Sequence, residues 1–598
     1  MSRFHSPWMS ILVLLFLLTT VTLISVNSGA LALSFHTLWN SSFDDMVWQV
    51  WLDIRLPRVL LAILVGGALA ISGAIMQGLF RNSLADPGLL GISSGAALMV
   101  AIVIILPFSF SPIFSFYSHI VAAFVGGLIV AMIIFSLHQL SDGNLARLLL
   151  AGIAINALCM SFIGVLSYIS TDQQLRQFSL WMMGSLSQID WKTLSIATLV
   201  IIPVSILACW QSHKLNLLQL GDEEAHYLGL NVRRTKFILL LLSAILIGCA
   251  VALSGVIGFI GLVVPHLIRM RIGSNHVWLL PATILGGATL LLAADTLSRT
   301  LVSPAEIPVG AHYRINWRPL FPLAYLTTTS RKDVMIKKQN TSLLYGNNLS
   351  YQIGEKNIID DVSLSLNAGE LVTIIGPNGA GKSSLLRLLT GYTTPTQGVC
   401  YFKQKTYSQW DRQQLAQNRA VMRQNSQLSF SFSVEEVVAM GRTPHGQQHK
   451  KMAIETALLQ TDCLKFKGRD YRQLSGGEQQ RVQLARVLAQ LWHPTPQEAV
   501  LFLDEPTSAL DLYHQQHSLR LLKQLAKTQR LMVCCVLHDL NLASLYADRI
   551  LLLHQGKLVC EGTPYEVLTT ENIRKWYGAD VSVDTHPEHS SPQVFLRP

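Results

Sequence analysis

The run Gly376-Pro-Asn-Gly-Ala-Gly-Lys-Ser383 carries the densest chemical signal in this 598-residue chain. Its glycines let backbone N–H groups turn toward an anion, and Lys382 adds a cation at the same place. The apolar run 371–375 in front reads as a buried strand. The residues behind read as a helix, whose N-terminal dipole also favours negative charge. Strand, loop and helix in this order bind nucleoside triphosphate. Gly376, Pro377, Asn378, Gly379, Ala380, Gly381, Lys382, Ser383 and Ser384 form the candidate phosphate cradle. Lys382 reaches the β/γ-phosphates and Ser383 offers a hydroxyl to Mg²⁺.

A second strand-like run, 499–503, ends in Asp504-Glu505. Asp504 is placed to hold Mg²⁺ through water, and Glu505 to polarise an attacking water. Between the two sites lies Leu474-Ser-Gly-Gly-Glu478. With that string the region is identified as a member of the ABC ATPases. The resemblance implies that Leu474, Ser475, Gly476, Gly477 and Glu478 cap the γ-phosphate of ATP held by a partner domain, so that two domains make two sites. It places Gln424 in a loop that senses Mg²⁺ and a permease, and Asp511 of Ser508-Ala-Leu-Asp511 in the D-loop. His538 falls at the switch position beside the γ-phosphate. Tyr351 matches an aromatic that stacks on adenine; a lone Tyr at a strand-rich start also packs in cores. Mg²⁺ contacts fall to Ser383, Gln424 and Asp504, and catalysis to Glu505 and His538.

These groups need an α/β domain, yet the whole chain is too apolar to be one. Charged residues make up 14%, against about 25% in soluble domains, and the mean hydropathy is +0.37. Residues 1–310 hold the apolar runs. A membrane helix needs about 20 such residues, which gives spans at 11–33, 59–79, 89–107, 118–138, 148–168, 194–210, 236–254, 256–268 and 278–298. The first is read as a span rather than a signal peptide. The eighth is short and starts at Gly255.

The net charge of +10 fits Lys and Arg gathered in short cytoplasmic loops better than nucleic-acid binding, which is set aside. Arg81, Arg147, Lys214, Arg233, Arg234, Lys236, Arg269 and Arg271 fall inside. Arg55, Arg58, Arg176 and Arg299 fall outside. The eight cysteines show no metal-ligand spacing and read as reduced packing residues.

Several strings in this half are specific: Arg55-Leu-Pro-Arg58, Gly73-x-x-x-Gln77, Arg81-Asn-Ser-Leu-Ala-Asp-Pro87, Leu220-Gly-Asp222 with Leu228-Gly229, Gly258-Phe-Ile-Gly-Leu-Val-Val-Pro-His266 and Pro304-Ala-Glu-Ile-Pro-Val-Gly310. In order, they resemble the permease family that imports iron–siderophores, haem and cobalamin. The resemblance implies that Leu220, Gly221, Asp222, Leu228 and Gly229 form a coupling loop seated on the ATPase. It implies that Arg55, Arg58 and Arg299 dock a periplasmic substrate-binding protein, against the plainer reading of headgroup anchors. Small residues at 66, 67, 73 and 78 let helices approach closely. Gln77 either bonds a neighbouring helix or lines the path.

Asp511-Leu-Tyr-His-Gln515, Leu537-His-Asp-Leu-Asn541, His586-Pro587 and Phe178-Ser-Leu-Trp-Met-Met-Gly184 resemble haem importers in flavour. Haem therefore leads, with ferric siderophore and cobalamin as alternatives.

One segment departs from the family. After Gly310 a tenth apolar span is expected, but this chain reads His312-Tyr-Arg-Ile-Asn-Trp-Arg-Pro319. Each arginine would cost roughly 2.5–3.5 kcal/mol at a helix centre. Back-translated one base later, the same codons can encode Ile-Thr-Ala-Leu-Ile-Gly-Gly-Pro, a stretch of the missing span. Met335 then resembles the start of a separate ATPase. A non-functional frameshift fusion is thus the rival of another class, and sequencing the DNA across codons 300–340 decides between them. A soluble two-domain ABC ATPase is excluded by residues 1–310, and an exporter by the permease strings.

The expectation is a multi-domain chain: an all-α polytopic membrane permease, of about ten spans in the family, followed by an α/β P-loop ABC ATPase. Its domains are 1–310, an atypical junction at 311–334, and 335–598. It takes ATP and Mg²⁺, works as a homodimer with a binding protein, and imports haem or another iron chelate. It lies in the bacterial inner membrane with a cytoplasmic ATPase.

Overall fold

Small residues decide where the apolar helices touch. The computed structural model describes residues 7–28, 46–83, 85–86, 88, 91–106, 112–140, 145–187, 189–300, 342–354, 356–424 and 428–598. A Cβ added to Gly66 would lie 2.4 Å from the Gly287 carbonyl oxygen, and one on Gly73 would lie 1.9 Å from that of Gly261. Backbones at that spacing exclude any side chain, so the helix Leu56–Phe80 is buried along nearly its whole length.

The chain divides into two compact units. One is built from Met1–Gln219 and Arg233–Thr327, the other from Leu220–Val232 and Thr328–Pro598. Among the described residues of the first, seven helices are long and apolar enough to cross a membrane: Pro7–Asn27, Met46–Phe80, Tyr117–Ile134, Leu150–Ile169, Trp191–Trp210, Val232–Ser254 and His276–Thr300. Two expected spans fall below that length. Residues 89–107 yield the helix Ile92–Ile105, and 256–268 the helix Ile260–Ile272. The latter starts five residues after Gly255 because Gly255 and Phe259 both adopt positive φ, +71° and +69°, which α-helix does not allow.

A further helix, Asp172–Met182, carries a capping box between Thr171 and Gln174. The Gln174 amide also donates to the carbonyls of Ile104 and Ile105 at 3.2 and 3.1 Å, closing the short helix before it.

Gln77 is fully buried. Its amide donates to the Leu262 carbonyl at 3.0 Å, and its oxygen accepts from Arg269 at 2.9 Å. Of its two readings, the helix-to-helix bond is the observed one. The chain leaves this unit through Ser212–Gln219, held by Gln219 donating to the Gly78 carbonyl at 2.8 Å.

The arginines expected at the outer face have partners within their own unit. Arg55, Arg58 and Arg299 are all buried. Arg58 and Arg299 pair with Asp295 at 2.9 and 3.0 Å, and Arg55 donates to the carbonyls of Val26 and Asn27 at 3.0 and 3.2 Å. Charges this deep are stabilised only by partners inside the protein. Among the described residues they tie helix ends together.

The second unit is built on strands β1 (Leu344–Ile353), β2 (Lys356–Leu366), β3 (Leu371–Ile375), β4 (Gln397–Phe402), β5 (Lys405–Thr406), β6 (Arg419–Met422), β7 (Val500–Asp504), β8 (Met532–Val536), β9 (Arg549–His554), β10 (Lys557–Gly562), β11 (Val581–Thr585) and β12 (Pro592–Leu596). A six-stranded sheet runs β10-β9-β3-β8-β7-β6, a four-stranded antiparallel sheet β2-β1-β4-β5, and β11 pairs with β12. From β9 to β6 neighbours are parallel. Both faces of such a sheet are covered, so β3, β6 and β8 are apolar and buried throughout, apart from Arg419 and Thr373.

The string at 304–310, the junction 311–334, Met335, and the residues Leu84, Pro87 and Leu90 lie outside the described residues.

Candidate functional site

The phosphate loop leaves the C-terminal end of β3, where ligands of parallel sheets gather. Gly376 and Gly381 hold φ of +149° and +99°, and a Cβ on Gly376 would meet the Leu553 carbonyl at 2.1 Å. Only glycine fits there. The helix Lys382–Leu389 follows at once. Lys382 Nζ donates to the carbonyls of Gly376 and Pro377 at 2.7 and 3.0 Å. Burial lowers its pKa, and the charges of Glu505 and Asp504 oppose that shift.

β7 brings Asp504 to the same sheet end. Ser383 Oγ lies 3.5 Å from Asp504 Oδ1. Burial raises the Asp504 pKa, with the neighbouring Glu505 charge adding to it. Glu505 has φ +52°, an uncommon conformation for this residue. Its carboxylate is held on both sides: Gln424 donates to Oε2 at 2.6 Å, and His538 Nε2 lies 2.5 Å from Oε1. Gln424, Asp504, Glu505 and His538, spread over 115 positions, thus converge. The oxygen-rich set of Ser383, Gln424 and Asp504 suits a hard cation such as Mg²⁺.

The Leu474–Glu478 string forms a helix cap. Ser475 Oγ accepts from the Glu478 amide at 3.4 Å, while the Glu478 carboxylate accepts from the Ser475 amide at 2.7 Å, at the start of Gly476–Leu491. Ser475 and Gly476 are exposed. Asp511 caps Leu512–Gln529 by accepting from the His514 amide at 2.8 Å. Sequence reading missed Gln480. It donates to the Glu505 carbonyl at 2.7 Å and accepts from the Ala509 amide at 3.0 Å, tying the signature helix to the segment after β7.

Tyr351 is 8% exposed and belongs to the apolar cluster that includes Leu349, Leu385 and Leu389. Ile353, two residues on, is exposed at that strand end.

Leu220–Val232 packs with the ATPase fold rather than with the spans it joins. Gly221 at φ +116° starts the short helix Asp222–Tyr227, and Gly229 at φ +86° follows it. Leu220 and Leu228 are buried. A Cβ on Gly229 would lie 3.4 Å from the Cβ of Ala416. Sequence reading did not single out the two acids beside Asp222. Glu224 forms a buried ion pair with Arg486 at 2.7 Å. Glu223 pairs with Arg387 at 3.1 Å and Arg423 at 2.8 Å. Tyr227 sits under the Arg419 guanidinium, and its hydroxyl is 3.2 Å from that of Thr390. The only available signal was the acidic run Asp222-Glu-Glu224 in a polar, helix-forming stretch.

His226 stands 5.5 Å from the Tyr392 ring. Burial first, then Arg419 and Arg412, push its pKa down to about 4. A released loop binds the proton near the ordinary value of about 6.5; the seated loop does so only near 4. Seating is therefore full above pH 6.5 and weakens as pH falls from there toward 4. A disulfide between Gly229→Cys and Ala416→Cys should form less completely at pH 5 than at pH 7.5, with exchange stopped by acid after equal oxidation. His226→Asn should flatten that dependence. Equal yields at both pH values in the parent pair would refute it.

Comparison with known proteins agrees with both halves. The FecCD transport family pattern matches residues 15–326, and the ABC transporter pattern matches residues 359–508. The hemin transport system permease protein HmuU of Yersinia pestis is 69% identical over 297 residues, covering 50% of this chain and 89% of that protein. The hemin import ATP-binding protein HmuV of Escherichia coli O157:H7 is 53% identical over 256 residues, covering 42% of this chain and 99% of that one. A solved transporter described as of metal-chelate type, inward-facing, is 34% identical over 51% of this chain and 95% of its own, with a TM-score of 0.47. The chain belongs to the FecCD transport family and carries an ABC transporter ATPase in the same polypeptide.

Proposed function

We propose that this chain imports haem across the bacterial inner membrane at the expense of ATP. One observation carries the reading: a single chain matches both a hemin permease and a hemin-import ATP-binding protein, at 69% and 53% identity. Residues 1–310 act as the permease and 335–598 as the cytoplasmic ATPase, with 311–334 as an atypical junction. Two copies supply two of each half, and a periplasmic binding protein delivers the ligand.

In the ATPase, the amides of 376–384 and Lys382 bind the phosphates. Ser383, Asp504 and Gln424 would hold Mg²⁺, which would supply positive charge against the phosphates. Glu505 orients the water and takes its proton as the water oxygen bonds to the γ-phosphorus. The bond to the bridging oxygen breaks, leaving ADP and phosphate. His538 and Gln424 fix Glu505, which the 2.5 and 2.6 Å contacts support. Ser475 and Gly476, exposed in one copy, would close over ATP bound to the other. Leu220, Gly221, Asp222, Leu228 and Gly229 transmit that closure.

Proteoliposomes holding the full chain, ATP inside and a haem-loaded binding protein outside should accumulate haem, and should fail with a non-hydrolysable analogue. Uptake of a ferric siderophore or cobalamin with none of haem would overturn the ligand assignment.

A further inference from the structure

Two arginines serve two clients at once. Arg387 lies on the helix behind the phosphate loop, and Arg423 directly precedes Gln424. Both hold Glu223 of the Leu220–Val232 loop, at 3.1 and 2.8 Å. Both also line a cavity of about 180 Å³ whose wall includes Glu223 and Tyr227 together with Ser383, Gln424 and Asp504. The loop therefore reaches the edge of the phosphate site through charge.

We propose that Glu223 is a positioning residue, which sets Arg387 and Arg423 according to the state of the phosphate site and so lets the loop read bound nucleotide. The physical reason is competition for the same cations. Anionic phosphate entering beside Ser383 and Asp504 draws on guanidinium groups that otherwise neutralise Glu223. At this partly exposed site the field between unit charges a few Å apart is felt but not overwhelming. The charges of Arg387 and Arg423 act on both carboxylates, countering the rise that burial imposes on the Glu223 and Asp504 pKa values. Glu224 plays a different part: its pair with Arg486 is buried away from this cavity's lining and serves as an anchor. This role rests on the transporter reading above, in which the loop transmits ATP closure, but its test needs no haem.

The disulfide between Gly229→Cys and Ala416→Cys reports loop seating in the full chain. Glu505→Gln in the same background keeps ATP unhydrolysed. With Glu223 intact, the rate of disulfide formation should change at least threefold between nucleotide-free protein and saturating Mg-ATP. With Glu223→Gln the nucleotide-free rate should stay within twofold of its parent while the ATP response disappears. Glu223→Asp should keep the response. An unchanged ATP response in Glu223→Gln overturns the assignment, as does a parent pair that never responds. A collapse of the nucleotide-free rate in Glu223→Gln would make the residue a simple docking contact, which also overturns it. Haem uptake, measured separately, decides the import reading alone.

Discussion

Glu505→Gln is expected to lower ATP turnover by about 10²–10⁴-fold, the usual contribution of a positioned general base. Affinity for ATP should change by only a few fold. The amide is nearly the same size as the carboxylate, so the left-handed backbone at φ +52° and the contacts to Gln424 and His538 lose little packing. What the amide cannot do is take a proton from water. Binding belongs to other groups, namely the phosphate loop and Lys382 on β3 and its following helix. Phosphate release and nucleotide titration on the purified full chain separate the two quantities. Turnover within tenfold of the parent would remove Glu505 from the catalytic role.

Removing the Glu224 carboxylate is expected to have the largest effect on loop seating. Glu224 and Arg486 are both essentially inaccessible, at 1% and 0% side-chain exposure. Leaving one member of such a pair alone costs about 3–5 kcal/mol, on the order of a hundredfold to a thousandfold or more in the seating equilibrium. Glu224→Leu should accordingly abolish the Gly229→Cys/Ala416→Cys disulfide and any ATP-driven uptake. Adding Arg486→Met should restore much of the seating, because an apolar pair of similar volume needs no desolvation of charge. Gln483, which now accepts from Arg486 Nε at 2.7 Å, would limit the recovery by losing its partner. Seating of the single Glu224→Leu variant at the parental level would show that the pair contributes nothing to docking.

Much of this molecule is written locally in its sequence. The 376–383 run, Asp504-Glu505 and Leu474–Glu478 are short strings whose backbone geometry follows from their own glycines and caps, so the strand, loop and helix around them could be read without tertiary information. The long spans are legible for the same kind of reason, since about 20 apolar residues in a row have few other fates. Which charges pair is a different matter. Glu224 meets Arg486 across 262 positions, and Arg58 meets Asp295 across 237. No local pattern encodes such distances.

Hence arginines that read as exposed docking charges turned out buried, and the acids at 223 and 224 passed unnoticed. Tyr351 shows the same limit within one strand. Alternation gives it a face, but only the apolar cluster it joins, drawn from several distant segments, decides how far that face is buried. Sequence determined which chemistry the chain carries, because that chemistry rests on contiguous residues. The tertiary structure alone decided which side chains are desolvated and by whom they are neutralised, because burial is a property of distant segments brought together.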